Sequence, residues 1–190
     1  RAVALALVGV GAWQCIAQGE AINADGISYL DMARQFASGD ASPIANGYWS
    51  PVYPMILAVG LRLFGWMGMR EVSVAYGINI ALMLLAALSF RSLLEALSSR
   101  APAGNPEHRD GSSGASSRFF GDRWTLGAAW ALFAWMTIRM ISVASVTPDM
   151  LVAAQLFYAR ALIARRLRGE VARREALVFG AIVASAYWTK

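Results

Sequence analysis

Two carboxylates stand where apolar sequence gives way to polar. Asp25 follows the apolar run 2–18, and Asp149 follows Thr147 and Pro148 between two further apolar runs. A carboxylate so placed can act as a general base toward a hydroxyl or amine. It can also help hold a hard divalent cation through oxygen ligands. Each acid has a purely structural use as well. Asp25 fits the cap of a helix beginning at Gly26. In the second stretch Thr147 fits a cap, Pro148 the first helical position and Asp149 the positive end of the helix dipole.

Cations and aromatic residues complete the set. Lys190 is the one lysine among sixteen arginines, at the end of the apolar run 176–190. Helical rise carries it roughly 22 Å along that run, where it either anchors at an interface or binds a phosphate. Arg139 lies inside the apolar run 124–146, about 12 Å below the turn before Asp149 by the same rise. It snorkels, pairs within a bundle, or lines a polar cavity. Tyr48, Trp49 and Tyr53 form an interfacial belt or stack on a sugar face. His108 and Cys15, the single histidine and cysteine, read as a solvated loop residue and a small buried hydrophobe.

The elements that must position these residues are helices in a bilayer. Of 190 residues, 57% are apolar and 15% charged, with mean hydropathy +0.46; soluble domains carry about 25% charged residues. The net charge of +5 comes from arginines beside apolar runs. That pattern sets membrane orientation and shows no nucleic-acid surface. The expected fold is all-α, a polytopic transmembrane bundle with exoplasmic juxtamembrane helices. Runs 2–18, 72–90, 124–146, 148–164 and 176–190 are the expected spans, judged against a requirement of about 20 apolar residues.

Residues 98–123, rich in Ser, Gly, Pro and charge, predict a flexible loop. Arginines 91, 100, 109, 118 and 123 lie in or beside it, and 165, 166, 168, 173 and 174 crowd the next polar stretch. Both regions are therefore expected on the cytoplasmic side, which puts Asp25 and Asp149 together on the opposite face. An even number of crossings must separate them, so the run 51–65, short and proline-bearing, is expected not to cross.

Between the first two spans, 26–38 predicts an amphipathic interfacial helix. Tyr29, Leu30, Ala33, Phe36 and Ala37 line its apolar face, Ser28, Asp31, Gln35 and Ser38 its wet face, and Gly39 its C-terminal cap. Asp31 is expected to pair with Arg34 or Gln35, and Asp40 to lie in a loop. The chain opens on Arg1 and ends at Lys190 inside an apolar run, as expected of a piece of a longer protein.

The order of "ADGISYLDMARQFASGD", "GYWSPVYPMILAVGLRLFG", "TPDMLVAAQLFYARAL" and "AYWTK" resembles the C-fold, integral-membrane glycosyltransferases. The nearest branch is that of the bacterial relatives of protein mannosyltransferases and aminoarabinose transferases. The resemblance covers nearly the whole chain and implies that 1–190 is the N-terminal part of one membrane catalytic module. It implies transfer of a sugar from a polyprenyl-phosphate donor to a glycan, lipid or protein acceptor, at the outer face of a bacterial inner membrane. Asp25 and Asp149 would then be the catalytic carboxylates, with Asp149 the ligand of any divalent metal ion. Lys190, Tyr29, Tyr48 and Arg139 would bind substrate. This chain has Gly26 where many members carry a second acid, and Ser50-Pro51-Val52 where aminoarabinose-transferase-like members carry a lysine before two prolines. A non-enzymatic flippase or transporter of lipid-linked sugars is the alternative; its charged or broken helices would lie near mid-bilayer.

Overall fold

The computed structural model describes residues 2–45, 48–98, 123–167, 169 and 173–189. Among them the chain is all-helical, with no strand. Seven α-helices follow in order: α1 Ala2–Gln18, α2 Ala24–Ser38, α3 Val52–Phe64, α4 Glu71–Ser98, α5 Arg123–Arg139, α6 Asp149–Arg166 and α7 Arg173–Tyr187. Short 3₁₀ turns follow α2 and α3, at Ser42–Ala45 and Gly65–Met67.

α4 is the axis of the bundle. It packs on α1, α3, α5 and α6, and Ala75, Met83 and Ala86 on it are almost completely buried. It runs past the expected 72–90 because Arg91 and Glu95, one turn apart, form an ion pair that suits further helix. Phe90 on α4, Trp130 and Phe133 on α5, and Phe157 on α6 meet ring to ring near the middle of the bundle.

Antiparallel neighbours bring alternate helix ends together. At one end the Tyr76 hydroxyl donates to the Gly19 carbonyl (3.2 Å), and the Gln14 side chain donates to the Ile138 carbonyl (2.8 Å). At the other, Arg165 donates to the Ser92 hydroxyl (2.7 Å). The ends of α1, α5 and α7 thus gather with the starts of α4 and α6. The loop expected at 98–123 lies almost entirely outside the described residues.

α2 and α3 form a separate layer at the first end. The Tyr29 ring meets Tyr53, and Arg62 donates to the Ala37 carbonyl, so the two helices run side by side in the same direction. α3 in turn lies against α4, with Gly60 beside Val74 and Ile78. Arg34 grips Glu71 through two nitrogens (2.8 and 2.5 Å) and also pairs with Asp31. This ties α2 to the start of α4. Of the expected faces of α2, Tyr29, Leu30 and Ala33 are buried and Asp31, Gln35 and Ser38 exposed, while Ser28, Phe36 and Ala37 are half-buried and Met32 joins the buried face. Gly39 closes the helix in the left-handed region (φ +93°), where a side chain is disfavoured.

Other boundaries also differ from the sequence reading. The run 124–146 does not stay helical: α5 ends at Arg139, where the Met140 and Ile141 amides both turn to the Met136 carbonyl. The residues up to Pro148 form bends and turns. α2 begins two residues early, so Asn23 and not Asp25 is its boundary residue. Pro148, not Thr147, is the boundary of α6, and no side chain caps it. α4 is the one described helix long and apolar enough to cross a membrane; Val3–Gln18 and Val52–Met67 are shorter apolar helices.

Candidate functional site

The α2–α3 layer, the loop 140–148 and the end of α7 meet at one end of the bundle. Asn23, just before α2, turns its side-chain oxygen away from its own helix to accept the Val146 amide (3.2 Å). Asp25, two residues on, sits exposed in the first turn of α2. Asp149, three residues past Val146, opens α6 and is half-buried. One hydrogen bond therefore joins the segments that carry the two carboxylates.

Both acids act on Tyr29. Burial pushes its phenol above the usual tyrosine range, and the charges of Asp25 and Asp149 add to that push. Tyr53 is raised chiefly by burial, against the hydrogen bond it makes with Asn79; Tyr29 and Asp149 push the same way as burial. The rings form a chain. Tyr29 meets Trp49 at 5.0 Å and Tyr53 at 5.3 Å, and Trp49 meets Tyr48 at 4.8 Å, all edge to face. Such pairs hold one another rigidly. Tyr48 at the outer end of this chain of rings is 81% exposed.

The segment after α7 reaches the same place. The Val52 amide at the start of α3 donates to the Trp188 carbonyl (3.4 Å). Thr189 is fully buried, held by Gln155 of α6 (3.2 Å) and by the Ser185 carbonyl (2.6 Å).

Of the residues singled out in the sequence, Asp25, Tyr29 and Asp149 come together, and Tyr48 stands one ring away through Trp49. Arg139 is displaced from its expected place: it is the exposed last residue of α5, not a charge a few turns inside a helix. A cation there complements the helix dipole. Lys190 lies outside the described residues. Asp31 pairs with Arg34 as expected. Asp40 is a loop residue whose carboxyl is held below the usual range by the Ser42 amide and hydroxyl.

Several residues in the site escaped the sequence reading, Asn23 and Thr189 among them. Asn79 and Gln155 are lone amides within apolar helical runs, and a polar group in such a run was the available signal. Among the described residues no group of three His, Cys, Asp or Glu side chains gathers to cage a metal. Asp25 and Asp149 supply carboxylate oxygens only, the donor set of a hard cation that a protein shares with a substrate phosphate.

No protein-family model matches the chain, no curated protein matches it, and no solved structure matches it.

Proposed function

We propose that the chain works as a membrane-embedded glycosyltransferase, moving a sugar from a polyprenyl-phosphate donor to an acceptor at the outer face. The observation that carries this reading is that the segments bearing Asp25 and Asp149 are joined at one end of an apolar bundle, both acids bearing on Tyr29, whose ring leads through Trp49 to the exposed Tyr48. In support of a bilayer around that bundle, Leu5, Trp13 and Ile16 on α1, Leu132 and Trp135 on α5, and Leu177 on α7 are each more than half exposed. Surfaces this apolar need an apolar surrounding. α1, α4, α5, α6 and α7 would be the crossing helices, with α2 and α3 lying at the outer interface.

The reaction follows from the two acids. An acceptor hydroxyl or amine attacks the anomeric carbon of the donor sugar as the bond from that carbon to the phosphate oxygen breaks. Asp25, exposed and unencumbered by a capping bond, takes the acceptor proton. The lipid phosphate leaves with the bonding electrons, and its charge is met by cations. Lys190, the residue after the buried Thr189, and Arg139 are proposed for that role. A divalent ion, when bound, would neutralise phosphate charge, and Asp149 is the residue proposed to hold it. Tyr29 feels the charge of both carboxylates, and Tyr48 and Trp49 offer rings to the sugar.

The test is Asp25→Asn in the full chain, assayed in proteoliposomes with a panel of radiolabelled polyprenyl-phosphate monosaccharides. The variant keeps size and helix and should lose transfer by about 100-fold or more. Transfer at the parent rate would remove Asp25 from the chemistry, and no transfer from any donor by the parent would overturn the reading itself.

A further inference from the structure

Asn79 is 1% exposed, eight residues into α4, the described helix long and apolar enough to cross a membrane. A buried amide in such surroundings is costly unless all its polar atoms are met. Here they are met by two different elements. Its oxygen accepts the Tyr53 hydroxyl of α3 at 2.8 Å. Its nitrogen donates to the Val143 and Ser145 carbonyls, both at 2.9 Å. Those carbonyls belong to the turn between α5 and α6, which has no helix to satisfy them. The next residue, Val146, is fully buried and gives its amide to Asn23.

From this geometry we infer that Asn79 is a positioning residue. It clamps the loop before Asp149 against the segment that carries Asp25, and through Tyr53 it makes that clamp answer to the position of α3. The chain of contact is continuous. Trp49 meets Tyr29 and Tyr29 meets Tyr53 of α3 by ring contacts, Tyr53 meets Asn79, and Asn79 meets the loop. A ligand that presses on the aromatic rings would therefore bear on the spacing of the two carboxylates. The use given to the clamp rests on the proposed transferase reading; the clamp itself does not.

Amide hydrogen exchange of the full chain in detergent reads the clamp without any substrate. Asn79→Leu keeps the branched outline of the side chain and removes all three hydrogen bonds. Exchange at the Val146 amide should speed up about tenfold or more, given what such bonds contribute, while amides in the middle of α4 and α6 keep their protection. Unchanged exchange at Val146, or an equal acceleration throughout α4 and α6, would overturn the inference. Tyr53→Phe removes one hydroxyl and tolerates folding better. It should speed the same amide by a smaller factor, and no effect there would overturn the link to α3. A second readout is the Tyr29 phenol, followed as the titration difference between each variant and its Tyr29→Phe counterpart. Its ionisation should move down toward the ordinary tyrosine range in Asn79→Leu as Asp149 is released. A titration unmoved by a loosened loop would show that the clamp does not position Asp149. A protein with this clamp intact that transfers no sugar would sink the transferase reading alone.

Discussion

Asn23 holds Val146 across 123 residues of sequence, its side-chain oxygen 3.2 Å from the Val146 amide. Gly26 lies directly against that bond. A Cβ there would come within 2.6 Å of the Asn23 oxygen, 2.8 Å of an Ile22 methyl and 2.9 Å of the Val146 Cβ. The crowding gives a physical reason why this chain carries no second acid beside Asp25: at this junction there is no room for a side chain.

Gly26→Ala should therefore destabilise the protein by about 1–3 kcal/mol, the usual range for overpacking a filled site. Gly26→Asp should be worse, since it buries a charge against an oxygen acceptor. Thermal unfolding in detergent reads both, and an unchanged midpoint for Gly26→Ala would mean that the α1–α2 junction yields freely.

Local rules made the α2 layer legible. The buried and exposed faces of α2, the Gly39 cap and the Asp31–Arg34 pair each follow from spacing within one or two turns. The end of α5 did not, and the reason lies in residues far away in sequence. Residues 140–147 are mostly apolar, so hydropathy carries a helix straight through them. The chain can leave the helix there because Asn79 takes the Val143 and Ser145 carbonyls and Asn23 takes the Val146 amide. Partners 64, 66 and 123 residues distant leave no periodic trace. For the same reason Asp25 and Asp149 could be placed on one side by counting arginines, but their shared neighbour Tyr29 could not be found that way.

Tyr29 supplies a pH prediction. Its folded-state pKa is raised, by burial first and then by Asp25 and Asp149. The fold therefore favours the neutral phenol. That contribution is fully present below the unfolded value of about 10 and is lost as pH rises through the folded value. Asp149→Asn removes one of the two charges, so Tyr29 should ionise at lower pH in this variant, read by phenolate absorbance against a Tyr29→Phe control. An unshifted Tyr29 would separate Asp149 from the cluster.

The same substitution also tests chemistry. Asp149→Asn keeps the shape of the α6 start and, on the proposed function, should lower sugar transfer by roughly 100-fold. Any stimulation by added Mg²⁺ should weaken with it, since the hard-cation ligand is gone. Parent-like turnover with an unchanged Mg²⁺ response would return Asp149 to a role at the helix dipole alone.

The last prediction concerns α3, whose two ends are both tied to the end of the bundle that holds the acids. At its start the Val52 amide meets the Trp188 carbonyl. Beyond its far end, Arg70 pairs with Glu20 just after α1, and Glu71 is held by Arg34 of α2. Along its length α3 meets α4 at Val74, Ile78 and Asn79. α3 itself has 13 residues, short of the roughly 17 that a crossing helix needs. On the proposed membrane arrangement Ser50 and Met69 should therefore face the same, exterior side. Single cysteines at these positions, in a Cys15→Ser background, can be challenged with an impermeant thiol reagent in intact cells. Both should label before permeabilisation. If Ser50→Cys labels while Met69→Cys reacts only after the membrane is opened, α3 crosses. An odd number of crossings would then separate Asp25 from Asp149, and the shared active-site face would be lost.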